Sequence, residues 1–226
     1  MRGEAGGLVS PDAADRERAI AALDVSRETL GRLDLYADLV AKWQRTINLI
    51  APSTLASLWT RHMLDSAQIA DLGRQHCFRA DLGSGAGFPG LVIALIQQER
   101  YPDGVVHLVE SDRRKASFLA EAARVTGAPA LIHAERIDVA LAPLRGKVTA
   151  VTARALAPLP KLLEYAEPLL TSGADGFFPK GQALDSELKR ASALFEFQSR
   201  LVPSRTETSG KIAVIQAVRR RGGVAG

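Results

Sequence analysis

The chain has 226 residues, 46% of them hydrophobic and 24% charged, with a formal net charge of +4. That length carries one well-buried α/β domain with an appendage and is tight for two full domains. One cysteine, Cys77, excludes a disulfide framework; no apolar run is long enough to span a bilayer, and the opening stretch MRGEAGGLVSPDAADRER lacks the apolar core of a secretory leader. The expectation is a soluble, cytoplasmic protein whose basic balance leans toward a polyanionic partner.

In chain order, residues 1–12 are Gly-rich and polar and are expected to be disordered. From Ser26, the positions Leu30, Leu33, Tyr36, Val40, Trp43 and Ile47 step by three or four, which predicts one amphipathic helix ended by Pro52. A second helical segment follows over 53–72 and stops at Gly73. Residues 1–75 therefore read as a tail with a helical layer, and 76–226 as an α/β unit. Strands are predicted at 77–82, 105–110, 130–134, 147–152 and 174–179, then in SRLVPS ending at Ser204, and at 211–218. Helices between them begin at Pro89, Asp112, Pro158 and Gln182. The alternation predicts a mostly parallel seven-stranded sheet with helices on both faces. Only SRTETSG separates the last two strands, so they should form an antiparallel hairpin.

The first strand runs into DLGSGAGFPG at 81–90. Gly83, Gly85 and Gly87 read as G-x-G-x-G, while Gly85, Gly87 and Gly90 read as the dinucleotide fingerprint G-x-G-x-x-G. Glycines at a strand end let a ligand approach the backbone closely. Glu110, ending the second strand, can accept both hydroxyls of an adenosine ribose, a feature shared by NAD and S-adenosylmethionine. Asp81 can face an ammonium and would repel a pyrophosphate, and little chain follows the fold for a dehydrogenase's substrate domain. Both points favour S-adenosylmethionine. In AERIDVA, Ile137 offers adenine an apolar edge and Asp138 an acceptor, although a core aliphatic beside a helix cap explains the pair equally well.

With these residues in place, the chain resembles the ribosomal RNA small-subunit methyltransferase G family, formerly called glucose-inhibited division protein B. The resemblance runs from about Trp43 to Gly181 through NLIA (48–51), RHMLDS (61–66), DLGSGAGFPG (81–90), LVESDRRKASFL (108–119), ERID (135–138), TARAL (152–156) and KG (180–181). RH-x-x-DS combined with DLGSGAGFPG is its most specific part. It implies a Rossmann-like class I methyltransferase fold for 76–226 and methylation of N7 of one guanine in a 16S rRNA loop near the decoding centre. It also implies an S-adenosylmethionine site lined by Gly83, Phe88, Glu110, Ile137, Asp138 and Arg154. Phe178-Pro179 before Lys180-Gly181 departs from the family's more usual aliphatic residue.

Arg154 follows the fourth strand, where a two-pronged guanidinium can bind a methionine carboxylate or an RNA phosphate. Asn48, Arg61, His62 and Lys180 are assigned to the RNA entrance, while an ion pair along one helix face explains Arg61 and Asp65 as well. Arg219–Arg221 reads as a solvated tail. His62, His76, His107 and His133 are scattered without ligand spacing, so no metal site is expected. Guanine N7 has a lone pair and no proton, so catalysis would be alignment without a general base. A flipped-out guanine would stack on Phe88, unless Phe88 is core. The expected partner is 16S rRNA in the small subunit or its assembly intermediate, met by a monomer. An NAD-dependent oxidoreductase and a non-catalytic ribosome assembly factor are the rival readings.

Overall fold

The structure, a computed structural model, describes residues 11–222. Five strands run parallel: β1 (Phe78–Leu82), β2 (Val105–Val109), β3 (Ala130–His133), β4 (Ala150–Thr152) and β5 (Asp175–Lys180). β6 (Phe195–Pro203) and β7 (Lys211–Arg220) form the antiparallel hairpin, and β7 inserts beside β5. The sheet order is β3-β2-β1-β4-β5-β7-β6. This is the α/β, Rossmann-like architecture the alternation predicts. The chain leaves β1 toward β2 on one side and returns to β4 on the other. That switch opens a crevice beyond the strands' carboxyl ends, where such sheets bind ligands.

The helices are α1 (Ala13–Ile20), α2 (Arg27–Trp43), α3 (Asp65–Leu72), α4 (Gly90–Gln97), α5 (Arg113–Thr126), α6 (Ile137–Ala140), α7 (Leu159–Leu170) and α8 (Leu184–Leu194). The Ser26 hydroxyl caps α2 by accepting from the Thr29 N–H at 3.1 Å, and Leu33, Tyr36 and Val40 are its buried stripe. The helix ends well before Pro52. Gln44 turns the chain there, its Oε1 accepting from the N–H groups of Leu49 and Ile50 at 2.9 and 3.0 Å.

The segment expected to be one helix over 53–72 is three pieces: a 3-10 turn at Pro52–Thr54, a π-helical stretch at Trp59–Leu64, and α3. Asp15, on the unforeseen helix α1, accounts for part of this. Its buried carboxylate accepts from the N–H groups of Trp59 and Thr60 at 2.9 and 3.2 Å and from the Thr60 hydroxyl at 2.6 Å. Of the tail expected to be disordered, residues 1–10 lie outside the described residues, and Asp12 is the side-chain cap of α1. α4 starts at Gly90, with Pro89 just outside it and the Phe88–Pro89 peptide cis.

One face of the sheet is covered by α2, α3, α4 and α5, whose Leu33, Tyr36, Leu91 and Phe118 share a single core. The stripe of α2 packs on α4 and α5, and its buried residues belong to the same cluster as theirs. The other face carries α7 and α8, with Leu159, Leu162, Phe178 and Phe195 buried. Each such side chain withdrawn from water contributes roughly 1.5–3 kcal/mol.

Candidate functional site

After β1 the backbone turns through positive φ at Gly83 (64°), Gly85 (56°) and Gly87 (90°). These glycines serve different ends. A Cβ built on Gly85 meets nothing nearer than the Gly83 carbonyl oxygen at 3.8 Å, so it would project into open cleft. One built on Gly87 would lie 2.7 Å from the Tyr36 hydroxyl, and one on Gly90 2.7 Å from Asp81 Cβ, so these two permit close packing. The Tyr36 hydroxyl, from α2, donates to the Ala86 carbonyl and fastens the loop to the helical layer.

The opposite wall begins at Glu110. Its Oε2 accepts from the Gly85 N–H at 2.9 Å and its Oε1 from the Asp112 N–H at 2.8 Å. Each carboxylate oxygen keeps a lone pair, and Glu110 lines the cleft. The cleft encloses about 250 Å³ between Gly83, Gly85, Glu110, Glu135, Ile137 and Arg154. Asp138 is turned away from it, pairing with Arg136 at 3.1 Å on the solvent side, and Glu135 stands in the lining where an adenine acceptor was expected. Asp138 sits in the first turn of the short helix α6, beside Arg136.

Asp81 also departs from expectation. Only 1% of it is exposed. Its Oδ1 accepts from the Thr152 hydroxyl at 2.7 Å and its Oδ2 from the Gly90 N–H at 3.2 Å, which ties β1 to β4 and to the start of α4. Burial lifts its pKa from 3.8 to about 6, against the lowering effect of those hydrogen bonds. The side chain lines neither cavity near the strand ends, and its partners among the described residues are Thr152 and Gly90. Phe88 is likewise interior, wedged between the rings of Tyr36 and His62 at 5.2 and 5.0 Å, with the Arg154 guanidinium carbon 5.5 Å from its centroid. Of the two sequence readings for Phe88, core packing is the one found; its faces are already covered.

Arg154 stands where the cleft meets a second cavity, a basin of about 410 Å³. Its Nη1 donates to the Arg61 carbonyl at 3.1 Å and to Asp65 Oδ2 at 3.3 Å, and its Nη2 to His62 Nδ1 at 2.7 Å. A guanidinium only donates, so His62 Nδ1 is the acceptor and Nε2 carries the hydrogen. That hydrogen points to Thr54 Oγ1 at 2.9 Å, and Thr54 in turn donates to the Ala51 carbonyl at 2.8 Å. Burial, then the charges of Arg154 and Arg61, pull the His62 pKa to about 3. The imidazole is therefore neutral. Next to Arg154, Ala155 holds φ at +54°, a left-handed conformation rare for a residue with a Cβ.

Among the residues assigned to the RNA entrance, Arg61 and His62 line the basin. Arg61 makes no pair with Asp65; its guanidinium is 4.0 Å from Glu207, while Asp65 takes Arg154. Lys180 reaches the lining but is not a free cation. Its ammonium donates to the Ala157 carbonyl at 2.6 Å and pairs with Glu187 at 3.0 Å, and Glu187 accepts from the Leu159 N–H at 2.7 Å. Lys180 and Glu187 thereby brace the loop between β4 and α7. Asn48 is exposed beside Gln44 and lines neither cavity. His107 and His133, far apart in sequence, meet at 2.9 Å across β2 and β3. Among the described residues no group of three or more candidate metal ligands forms.

Residues 29–213 match the family model described as rRNA small subunit methyltransferase G. The chain belongs to the rRNA small subunit methyltransferase G family. A member from Methylobacterium nodulans is 48% identical over 206 residues, covering 91% of this chain and 97% of its own. One from Bradyrhizobium sp. strain ORS 278 is 48% identical over 209 residues, covering 92% and 94%. Two solved structures share the fold. An O-methyltransferase from Bacillus cereus in complex with SAH gives a TM-score of 0.56 at 10% identity, over 91% of this chain and 97% of that one. Cofactor-bound Rv0187 from MTB gives 0.56 at 12% identity, over 92% and 97%. As a family member, the protein is an enzyme that methylates ribosomal RNA with S-adenosylmethionine as donor. The oxidoreductase and non-catalytic readings are set aside.

Proposed function

We propose that the enzyme methylates N7 of a guanine in 16S rRNA, within the small subunit or its assembly intermediate, acting as a monomer in the cytoplasm. The observation carrying the target atom is the state of the polar side chains at the junction of cleft and basin. Both ring nitrogens of His62 are occupied, by Arg154 and Thr54. Asp65 Oδ1 accepts from Gln68 and Thr206, and Oδ2 from Arg154. Both groups are already committed, His62 at each ring nitrogen and Asp65 to Arg154, Gln68 and Thr206, which supports a reaction that asks for no base. Guanine N7 attacks with its lone pair and has no proton to lose.

The residues fit the donor. Glu110 has lone pairs for the ribose diol, Ile137 an apolar edge for adenine, and Gly85 backbone that a side chain would cover. Bound there, S-adenosylmethionine supplies an electrophilic methyl on its sulfonium. Arg154, fixed by three acceptors, is the positioning group shared by the two cavities, and the chemistry asked of the protein is alignment. The test is to methylate small subunits, then cleave the RNA chemically at N7-methylguanosine. One cleavage site in 16S rRNA is the expected result. Label on a base amine, a ring N–H or a ribose hydroxyl would overturn the assignment.

A further inference from the structure

The basin's outer wall is the turn joining β6 to β7, from Ser204 to Gly210. Its backbone is held firmly. The Ser204 N–H donates to the Gly210 carbonyl at 2.9 Å, and the Gly210 N–H to the Glu207 carbonyl at 3.0 Å. The Ser204 hydroxyl oxygen accepts from the N–H groups of Thr206 and Glu207, both at 3.2 Å. The turn is also pinned to α3: the Arg205 N–H donates to Gln68 Oε1 at 3.0 Å and the Thr206 hydroxyl to Asp65 Oδ1 at 2.6 Å. A Cβ on Gly210 would sit 3.1 Å from Glu207 Cβ, so the glycine lets the glutamate pack against it.

Two carboxylates line this basin, Asp65 and Glu207. Asp65 already accepts three hydrogen bonds and is paired with Arg154. Among the described residues the Glu207 carboxylate has only Arg61, and at 4.0 Å that contact is beyond hydrogen-bonding distance. A guanine that aims N7 at the cleft through the Arg154–Ala155 junction turns its Watson–Crick edge, about a quarter-turn around the base from the N7 lone pair, to the basin's lining, where Glu207 stands. On that edge N1–H and the N2 amino group stand side by side as two donors, and a carboxylate accepts one on each oxygen. Adenine offers an unprotonated N1 there and would be repelled.

We propose that Glu207 is the residue that selects guanine, accepting the N1–H and N2–H hydrogens of the target base in the basin; this rests on the N7 reading above. The turn supplies the rigidity and Glu207 the reading head.

The test uses full-length enzyme and 16S rRNA reconstituted into small subunits with guanosine, inosine or 7-deazaguanosine at the mapped position. Inosine keeps N1–H and lacks the amino group, so the wild type should favour guanosine by roughly tenfold or more in kcat/KM. Glu207→Gln puts an amide donor against the base's donors. It should lower kcat/KM on guanosine by roughly tenfold to a hundredfold and flatten the guanosine-to-inosine ratio toward one. Glu207 is exposed, so the thermal midpoint and S-adenosylhomocysteine affinity of the variant should match wild type. An unchanged ratio in Glu207→Gln, at any level of activity, overturns the proposal. The 7-deazaguanosine substrate tests the underlying reading separately: wild-type methylation of it would overturn the N7 assignment, whatever Glu207 does.

Discussion

Asp81→Asn separates a carboxylate that meets a ligand from one that knits the fold. In the folded protein the Asp81 pKa is about 6, against 3.8 for an ordinary aspartate. At about 1.4 kcal/mol per pKa unit, the difference is worth about 3 kcal/mol. The folded value is the higher one, so the folded state takes up the proton first as pH falls. Stability from this group therefore rises as pH falls from about 7, by about 2 kcal/mol at pH 4 and up to about 3 kcal/mol below it, and is lost again as pH rises through the folded value. Asparagine has no proton to take up. It can still accept from the Gly90 N–H while its amide donates to Thr152 Oγ1, because a hydroxyl serves in either role. Urea unfolding of both proteins across this range should give a wild-type-minus-variant difference that grows by about 2 kcal/mol by pH 4 and approaches about 3 kcal/mol below it. Other carboxylates titrate alike in both and cancel. Parallel curves would refute the reasoning. So would a hundredfold loss of S-adenosylhomocysteine affinity in Asp81→Asn, which would return the carboxylate to the ligand.

Glu110→Gln should weaken S-adenosylhomocysteine by about 2 kcal/mol, since an amide nitrogen must face either the Gly85 or the Asp112 N–H; calorimetric affinity within threefold of wild type would contradict this. Arg154→Ala should cost about 2–3 kcal/mol in kcat/KM with the fold intact, and Arg154→Lys should rescue poorly because one ammonium cannot span the Arg61 carbonyl, Asp65 and His62. Substantial activity in the lysine variant would count against that role. Arg61→Ala should reduce the salt slope of RNA binding by about one, whereas neutralising Arg219, Arg220 and Arg221 should change it less. β7 runs from its Lys211 end at the basin to Arg219 and Arg220 at its other end, with Arg221 just beyond, and Arg220 and Arg221 already pair with Glu167 and Glu196; equal losses would move the RNA footprint. The single-turnover methyl-transfer rate should be flat between about pH 6 and 8.5, as His62 with a pKa near 3 stays neutral throughout; a log-linear rise would indicate a base.

The sheet, its hairpin and the glycine loop were legible because they are written in local signals: apolar runs, glycine spacing and a short connection. Helix α1 was not, since AADRERAI carries only a weak apolar stripe and owes its place to Asp15 reaching Trp59 and Thr60. Site residues divided the same way. Glu110 follows its strand directly and was found at the cleft. The inward turn of Asp81 depends on Thr152 and Gly90, and the pairing of Lys180 on Glu187, which a linear reading does not bring together. Glu207 gave no signal at all, because its meaning comes from the hydrogen bonds Asp65 already accepts.

The bond from Tyr36 to the Ala86 carbonyl ties the glycine loop to helix α2 and couples their opening. Amides in one cooperative unit exchange with deuterium at a common rate, and a ligand that closes the unit slows them all. Nucleoside bound against Gly85 is therefore expected to protect the amides around Tyr36, on a helix that lines neither cavity at the strand ends. Hydrogen exchange along 33–40 becomes a remote reporter of occupancy, readable without a labelled cofactor and lost in Tyr36→Phe while the ligand still binds.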